Sequence, residues 1–465
     1  MRHFFFKALC MIAVSHTALA ATPESADWII HGRYVVTMDA QHRLIEDGAV
    51  AMKGARIVGV GTNADITKRF SAKQLIEKPD AVIAPGFIDT HTHAPMSLFR
   101  AIADDMKLQD WLTNVIFPAE SKNVTPDFVR WGTRLACLEM VLAGITTYTD
   151  MYYFEDVEAE TTKEAGVRGV LGETIIGFPS PDHKTWSEAL TATEAYIQKY
   201  RTDPLITPAV APHSIYTTPD EALIASNKLA MKYGVPLLIH LSETEVERDE
   251  AMTKRSMTPT QTVEKLGLLD GRTVAAHCVW EDDNDIQILK KHNTGVAHCP
   301  SSNTKLASGI ARVTDMLKAG VNVGLGTDGF AGSNDSADLI GEMNLAAKLQ
   351  KVATKDPQAL PAEQALAMAT IGGARVLGMD RDLGSLEEGK LADVITISLA
   401  HPNTVPLYNV YSTLVYAGKA ADVEDVFING RQIVANRNVL TLRKDEIYKK
   451  AAMYQVQVAN SIGRK

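Results

Sequence analysis

The chain has 465 residues, of which 46% are hydrophobic and 22% are charged, a composition typical of a soluble globular protein. Its length allows one large domain or two ordinary ones. The formal net charge of −9 disfavours a nucleic-acid-binding surface, because such surfaces usually carry an excess of Lys and Arg. Four cysteines are too few for a disulfide framework in a chain of this length.

The N-terminal residues have the pattern of a secretory signal. Arg2 and Lys7 form a short basic start, residues 8–14 are apolar, and Ala18-Leu19-Ala20 provides the small residues that a signal peptidase recognises. We therefore expect cleavage that removes residues 1–20, and export to a bacterial periplasm. The alternative is an N-terminal membrane anchor, but the apolar run is much shorter than the ~20 residues that span a bilayer. No other segment fits a span, so we expect no membrane contact after cleavage.

Two β-rich segments flank the centre of the chain. In residues 21–82 and 380–443, short apolar runs are separated by glycines, as is typical of strands and turns. Asn429-Gly430 lies between two such runs and predicts a tight hairpin. Neither segment is long enough to bury a core alone, so we predict one small β-sandwich domain that combines both ends of the mature chain. Residues 444–465 have the pattern of a C-terminal helix.

Residues 83–379 alternate between apolar strand patterns and helical patterns. Eight alternations over this length predict an α/β fold, the (β/α)8 TIM barrel. The alternative is an open doubly wound sheet, which would require a glycine-rich phosphate-binding turn after the first strand. Pro85-Gly86-Phe87 is not such a turn. The helical patterns include Asp127–Ala143, Thr185–Tyr200, Pro219–Tyr233 and Ser336–Lys351. The predicted strands are Val82–His93, Ile145–Met151, Val167–Ile176, Ile206–His213, Pro236–His240, Thr273–His277, Gly295–His298 and Asn322–Asp328.

The first predicted barrel strand ends in His91-Thr92-His93. Side chains two positions apart on a strand point to the same side. Both imidazoles therefore project from the C-terminal end of the barrel, where the active sites of this fold lie. Paired imidazoles bind borderline metals such as zinc. Two ordinary, partly buried histidines would give the same pattern, so the pair alone leaves both interpretations open.

Three later strands also end in titratable residues. His240, His277 and Asp328 each close an apolar strand, where a polar side chain normally needs a partner or a metal ion. A satisfied core histidine, or an aspartate that caps a helix, would explain each residue alone. Their shared position at one end of successive strands favours a common metal site with the first histidine pair.

Glu243 follows His240 by three residues, in the loop above this predicted site. A carboxylate there can accept a proton from metal-bound water and pass it to a substrate. The alternative is an acid at the start of a helix, where Ser242 and Glu243 would cap the residues that follow.

These residues lie in motifs that resemble the amidohydrolase superfamily. The resemblance covers essentially the whole mature chain. It points to the branch of cytosine deaminase, triazine hydrolases and methylthioadenosine/S-adenosylhomocysteine deaminases, and it is less specific for the substrate. The motifs are PGFIDTHTH (85–93), DWLTNVIFPAE (110–120), HLSETE (240–245), AHCVW (276–280), HCPSSN (298–303), GLGTDG (324–329) and GSLEEGKLADV (384–394).

The resemblance implies one divalent metal ion, zinc, with iron or manganese as alternatives. Binuclear relatives place a carboxylated lysine at the end of the fourth strand, and this chain has no lysine there. A second ion bridged by Glu173, at the third strand, is the alternative. The ligands that the resemblance implies are His91, His93, His240 and Asp328.

The resemblance also implies roles for the other site residues. Glu243 resembles the proton shuttle of the deaminases, and His277 resembles the histidine that, with Asp328, holds the attacking hydroxide. Glu120 and His213 match substrate-contacting positions of the methylthioadenosine-type deaminases. Without the resemblance, Glu120 would be interpreted as a solvated acid at a helix start, and His213 as a packing residue at a strand end.

The implied activity is that of a hydrolase acting on C–N bonds of cyclic amidines, a deaminase that releases ammonia from an adenosine- or methylthioadenosine-type nucleoside or a related base. Relatives that act on adenosylhomocysteine hold its carboxylate with arginines after the third strand. This chain has no arginine between Arg168 and Arg201, so we expect a neutral small-molecule substrate rather than one that carries a carboxylate. One alternative is removal of halide or alkylamine from a triazine-like ring, and another is an inactive binding protein on the same fold. A homo-oligomer is left open.

Overall fold

The computed structural model describes residues 22–463, and the predicted signal segment 1–20 lies outside the described residues. The first four strands are β1 (Glu24–Val36), β2 (Leu44–Lys53), β3 (Arg56–Thr62) and β4 (Phe70–Pro85). They belong to a small sheet in which β1 pairs antiparallel with β2 and parallel with β4, while β3 pairs antiparallel with β2. None of the described helices is both long enough and apolar enough to cross a membrane.

The next strands form a closed parallel barrel. They are β5 (Phe87–His93), β6 (Ile145–Tyr152), β7 (Arg168–Ile175), β8 (Ile206–Pro212), β9 (Leu237–Leu241), β10 (Thr273–His277), β11 (Gly295–His298), β12 (Asn322–Leu325) and β13 (Asp328–Gly329). From β5 to β12 each strand pairs with the next, and the barrel closes where Leu325 of β12 and Asp328 of β13 pair with residues of β5. The predicted (β/α)8 barrel with a separate β domain is therefore confirmed.

The predicted first strand, Val82–His93, is divided between the two sheets. Residues up to Pro85 belong to β4 in the small sheet, and the barrel strand begins at Phe87. Gly86 makes the junction, and its N–H donates to the carbonyl oxygen of Asp393 at 3.0 Å. A Cβ atom at this position would lie 2.1 Å from Thr146 Oγ1, so the close crossing of the two sheets requires glycine.

Helices follow the barrel strands and cover the barrel. The four predicted helices are present with ends that differ by up to three residues; the last begins at Leu339 because the Asp338 carboxylate caps the N–H groups of Ile340 and Gly341. The α-helices are α1 (Asn63–Arg69), α2 (Leu108–Trp111), α3 (Phe117–Asn123), α4 (Pro126–Leu142), α5 (Glu155–Ala165), α6 (Trp186–Tyr200), α7 (Asp220–Tyr233), α8 (Glu245–Arg255), α9 (Pro259–Lys265), α10 (Asp283–Lys291), α11 (Pro300–Lys305), α12 (Val313–Ala319), α13 (Leu339–Thr354), α14 (Ala362–Ala367), α15 (Gly373–Leu377), α16 (Val410–Ser412) and α17 (Lys444–Ser461).

The C-terminal part of the chain completes the small sheet. Its strands are β14 (Val394–Ser398), β15 (Val423–Ile428), β16 (Arg431–Ala435) and β17 (Asn438–Val439). Antiparallel pairing of β14 with β4 joins the two ends of the chain in one eight-stranded mixed sheet. Asn429 and Gly430, with φ of 54° and 74°, form the predicted tight hairpin between β15 and β16. The last helix, α17, packs on α4, where the Tyr454 hydroxyl donates to Asp127 at 2.7 Å.

Candidate active site

The four predicted metal ligands meet at the C-terminal end of the barrel. His91 and His93 leave β5 with their ring centroids 4.9 Å apart. His240, at β9, places its Nε2 atom 3.3 Å from Nε2 of His93. Asp328, in β13, places Oδ1 3.4 Å from Nε2 of His91 and 3.3 Å from Nε2 of His93. The structure therefore brings together three imidazoles and one carboxylate that the sequence spreads over more than two hundred residues.

The hydrogen bonds of the rings aim nitrogen lone pairs at a common point. Nδ1 of His93 donates to the Met151 carbonyl at 2.8 Å, and Nδ1 of His240 donates to the His213 carbonyl at 2.9 Å. Because a carbonyl only accepts, each Nδ1 carries the proton and each Nε2 is free to bind a metal. Nε2 of His91 is buried and has no hydrogen-bond partner among the described residues. This donor set fits a divalent zinc-type ion.

The local charges also suit a cation. Burial opposes ionisation of Asp328, but its contacts with His91 and His93 outweigh burial and keep the pKa of this carboxyl well below its usual value. Burial and the neighbouring histidines lower the pKa of His240 well below its usual value. Burial also disfavours the charged form of His93, yet the adjacent Asp328 raises the His93 pKa to about 9, and a metal ion bound at Nε2 would take the place of that proton beside Asp328. The carboxylate is therefore ionised, and His240 is a neutral donor.

His277 and Glu243 lie beside this cluster. His277 ends β10, and its Nε2 atom is 4.0 Å from Oε1 of Glu243. Its Nδ1 donates to the side-chain oxygen of Asn303 at 3.0 Å, which fixes the ring. The main-chain N–H of Glu243 donates to Glu247 at 2.7 Å, and burial raises the pKa of the Glu243 carboxyl. A raised pKa suits a group that exchanges protons near neutral pH.

Sequence reasoning did not identify Asn303 or Glu247. Asn303 lies in α11, inside the HCPSSN motif, and is 1% exposed. Glu247 lies in the first turn of α8, four residues after Glu243, and is 4% exposed. The signal that could identify such residues is a polar side chain buried close to a motif residue, but burial cannot be read from one sequence.

Several residues of the site have left-handed backbone conformations. The φ angles are 51° for Ser242, 74° for His277 and 62° for Asp328. Such conformations cost about 1–3 kcal/mol for non-glycine residues and are found where the surrounding structure imposes them, often at active sites. His277 is the last residue of β10, Asp328 is the first residue of β13, and Ser242 directly precedes Glu243. Each left-handed residue therefore bends the chain at, or next to, a predicted site residue.

A pocket opens onto the cluster, and Glu120 and His213 line it together with Glu243. Burial raises the pKa of Glu120 to about 7 and lowers that of His213 to about 3, so His213 is neutral. Tyr153 also lines the pocket, with its hydroxyl 3.5 Å from Glu120. The lining given by the described residues contains no Lys or Arg. One wall is apolar and consists of Met96, Leu108, Trp111, Leu112, Ile116, Phe117 and Leu306.

Glu173 lies away from the ligand cluster. Its Oε2 atom accepts from the N–H of Glu155 at 3.1 Å, and its Oε1 atom is 3.9 Å from Nε2 of His183. Among the described residues, it groups with Asp182 and His183 rather than with the histidines at the barrel end. The arrangement therefore does not favour a second ion bridged by Glu173 at the active site.

The barrel and its histidine-aspartate cluster define a metal-dependent hydrolase. A family model described as Amidohydrolase family matches residues 82–433. The chain belongs to the amidohydrolase family, which confirms the predicted resemblance. The pocket side chains thus sit on a scaffold shared with known hydrolases.

Two curated relatives and two solved structures illustrate this similarity. The chain is 43% identical over 436 residues to a 5-methylthioadenosine/S-adenosylhomocysteine deaminase of Thermodesulfovibrio yellowstonii, covering 93% of this chain and 99% of the relative. It is 45% identical over 422 residues to the deaminase of the same name from Syntrophobacter fumaroxidans, covering 91% and 96%. An adenosine deaminase from Xanthomonas campestris with bound zinc has a TM-score of 0.93 at 35% identity, covering 94% and 100%. The zinc complex of atrazine chlorohydrolase from Arthrobacter aurescens has a TM-score of 0.84 at 27% identity, covering 92% and 100%.

Proposed function

We propose that this chain deaminates a neutral adenosine-type nucleoside, adenosine or 5-methylthioadenosine, with one zinc ion in the active site. The predicted enzyme class, a hydrolase that acts on a C–N bond of a cyclic amidine, is confirmed by the family and by the deaminase relatives. The nucleoside, the metal and the roles of individual residues are the proposal. The observation that carries it is the buried Glu243 carboxyl beside a cluster of three histidines and an aspartate.

The metal would be held by side chains that already face one another. These are His91, His93, His240 and Asp328, whose donor atoms lie 3.3–3.4 Å apart in the pairs described above. A divalent ion in this position supplies hydroxide at neutral pH by lowering the pKa of water. The zinc in the Xanthomonas campestris adenosine deaminase and in the chlorohydrolase supports the choice of metal.

The remaining residues orient the attacking oxygen and transfer protons. His277, whose ring is fixed by Asn303, and Asp328 orient the oxygen that attacks the amine-bearing carbon. Glu243 takes one proton from the attacking water and delivers it to the adjacent ring nitrogen while the new C–O bond forms. The proton of the new hydroxyl then passes through Glu243 to the exocyclic amine, the C–N bond breaks as the C=O bond forms, and the amine leaves as ammonia.

Glu120 and His213 would bind the sugar end of the substrate. A carboxylate accepts hydrogen bonds from vicinal hydroxyls, and a neutral imidazole can donate or accept one. The apolar wall suits an uncharged 5-substituent such as a methylthio group. A substrate carboxylate would find no basic side chain in the described lining, which supports a preference for neutral nucleosides over adenosylhomocysteine.

Removal of halide or alkylamine from a triazine is the second candidate, because a chlorohydrolase is among the structural neighbours. The named deaminases are more similar to this chain, at 43–45% identity compared with 27% for the chlorohydrolase. The higher identity favours deamination.

We also propose that the enzyme acts after export to a bacterial periplasm. The support is the basic start, apolar run and small-residue site within residues 1–20. N-terminal sequencing of the protein purified from its host should give residue 21 as the first residue. A mature protein that begins at Met1 would contradict export by cleavage.

An ammonia-release screen of the zinc-loaded mature protein tests the substrate proposal. Adenosine and 5-methylthioadenosine should be the best substrates, and adenosylhomocysteine should have a kcat/KM at least tenfold lower. Guanine, cytosine and aminotriazines serve as comparison substrates, and atrazine tests dehalogenation by chloride release. Ammonia from a base or triazine but from no nucleoside would overturn the proposed substrate class.

A further inference from the structure

A buried carboxylate on α13 connects two segments that support active-site residues. Glu342 lies in the first turn of α13 and is 2% exposed. Its Oε2 atom accepts the main-chain N–H of Ser301 at 3.0 Å, and its Oε1 atom accepts the side-chain amide of Asn334 at 2.8 Å. Glu342 is not part of the pocket lining given by the described residues, so any effect on the reaction passes through these two partners.

The first hydrogen bond leads to the support of His277. Ser301 lies in the first turn of α11, two residues before Asn303, whose side-chain oxygen accepts from Nδ1 of His277 at 3.0 Å. The N–H groups of a first helical turn have no acceptor within the helix, and Glu342 provides one for Ser301. Glu342 thereby fixes the start of the short helix that orients the His277 ring.

The second hydrogen bond leads to the segment around Asp328. The Asn334 amide that donates to Glu342 also donates to the Thr327 carbonyl at 2.7 Å, and the main-chain N–H of Asn334 donates to the Gly329 carbonyl at 3.0 Å. Asn334 therefore binds the residue on each side of Asp328, whose φ is 62°. Left-handed conformations are unfavourable for non-glycine residues and persist where the surrounding structure imposes them. Asn334 imposes this one, and Glu342 holds Asn334.

Glu342 is the acceptor that both connections share. Burial raises the pKa of its carboxyl to about 8, and the hydrogen bonds from Ser301 and Asn334 oppose that rise. Without the carboxylate, the Ser301 N–H loses its acceptor and the Asn334 amide is free to turn away from Thr327. Asp89 still holds Thr327 from β5, because it accepts the Thr327 N–H at 3.0 Å and the hydroxyl at 2.6 Å. Loss of Glu342 is therefore expected to shift the Thr327 segment relative to α11 rather than to unfold it.

We propose that Glu342 is a positioning residue that fixes His277 and Asp328 relative to each other. This role rests on the proposed deamination, in which these two residues orient the attacking oxygen. Asp328 is also a proposed zinc ligand, so Glu342 is expected to slow zinc release as well as to support turnover.

Steady-state ammonia release and zinc release to a chelator, both from the zinc-loaded mature enzyme, test this role. Glu342→Ala should lower kcat about 10–100-fold, leave KM nearly unchanged and speed zinc release severalfold. Glu342→Gln keeps one acceptor oxygen for the two donors and should lose less of its kcat than Glu342→Ala. Gln350→Ala is the matched control, because Gln350 lies on the same helix and is 1% exposed but binds Thr314 and Ala311, outside both segments. It should keep its kcat even if its Tm falls.

A double variant separates positioning from a general loss of stability. Asn303→Ala already removes the contact through which Glu342 acts on His277. Glu342→Ala/Asn303→Ala should therefore lose less kcat than the product of the two single losses, whereas independent effects would multiply.

Three results would overturn this role. They are a folded Glu342→Ala enzyme with normal kcat and normal zinc release, a Gln350→Ala enzyme with the same loss of kcat, and a double variant whose loss equals the full product. If Glu342→Ala does not fold, Asn334→Ala replaces it, because this substitution removes the donor to Thr327 and should have the same effects. An unsubstituted enzyme that deaminates no nucleoside would overturn the proposed function instead, and the zinc-release rates would then decide the role of Glu342.

Discussion

Replacing Glu243 by glutamine removes the proposed proton carrier and leaves its surroundings in place. The main-chain N–H of residue 243 still binds Glu247, and glutamine has nearly the same size as glutamate. Oε1 of Glu243 is 4.0 Å from His277, too far for a hydrogen bond, so the substitution leaves no partner unsatisfied there. We therefore expect the substitution to affect proton transfer and to leave metal binding and folding nearly unchanged.

General acid–base catalysis contributes about 10²–10⁴-fold to a rate. The kcat of Glu243→Gln should fall by that factor, which corresponds to about 3–5 kcal/mol in the activation barrier. KM should change little, because the group acts on protons that move in the transition state. Ammonia release from the best nucleoside, at zinc content matched to the unsubstituted enzyme, measures both constants.

The control for this experiment is His91→Ala, which should lose zinc and activity together because His91 is one of the proposed ligands. Glu243→Gln should instead retain one equivalent of zinc. Zinc-loaded Glu243→Gln that keeps more than a tenth of the normal kcat would refute the shuttle role. Loss of zinc from Glu243→Gln would instead show that this carboxylate supports the ligands.

Two further predictions concern residues that sequence reasoning did not assign. Asn303→Ala should lower kcat about 10–100-fold with zinc retained, because the His277 ring loses the partner that orients it; an unchanged kcat would show that packing alone positions the ring. Burial lowers the pKa of His31, but its hydrogen bonds to Glu77 and Asp47 outweigh burial and raise it. Because the pKa of His31 is higher in the folded than in the unfolded protein, its protonation stabilises the fold. This stabilisation is complete below the unfolded pKa of about 6.5 and is lost as pH rises through the folded pKa. Denaturant unfolding from pH 6 to 9 should show a loss of under about 1 kcal/mol that His31→Gln abolishes; an equal loss in His31→Gln would assign the effect to other groups.

The barrel could be predicted because buried parallel strands have continuous apolar runs that are visible in the sequence. The junction between the two sheets at Gly86 could not be predicted. Apolar residues run from Val82 to Ile88 with only Pro85-Gly86 between them, and nothing in that pattern shows that the pairing partner changes. The change is decided by residues almost three hundred and ten positions away, where Val394–Ser398 pairs with β4. A break of this kind depends on tertiary pairing, which one sequence does not display.

The site residues likewise divide into those that the sequence could predict and those that it could not. His91, His93, His240, His277 and Asp328 could be found because each lies at or near the end of an apolar run, and barrel geometry converts that sequence position into a place in space. The predicted strand Asn322–Asp328 in fact ends at Leu325, and Asp328 begins the short β13. Residues on the segments between strands cannot be placed in this way. Glu120 on α3 lines the pocket and Asn303 on α11 binds His277, but no periodicity in the sequence indicates either contact. The strand ends carry the proposed metal ligands, and the segments between strands carry much of the pocket lining. The strand-end rule therefore predicts the metal-binding residues, whereas the reaction class came from the resemblance to the amidohydrolase superfamily. The choice of nucleoside depends on the pocket wall, which the ammonia-release screen probes.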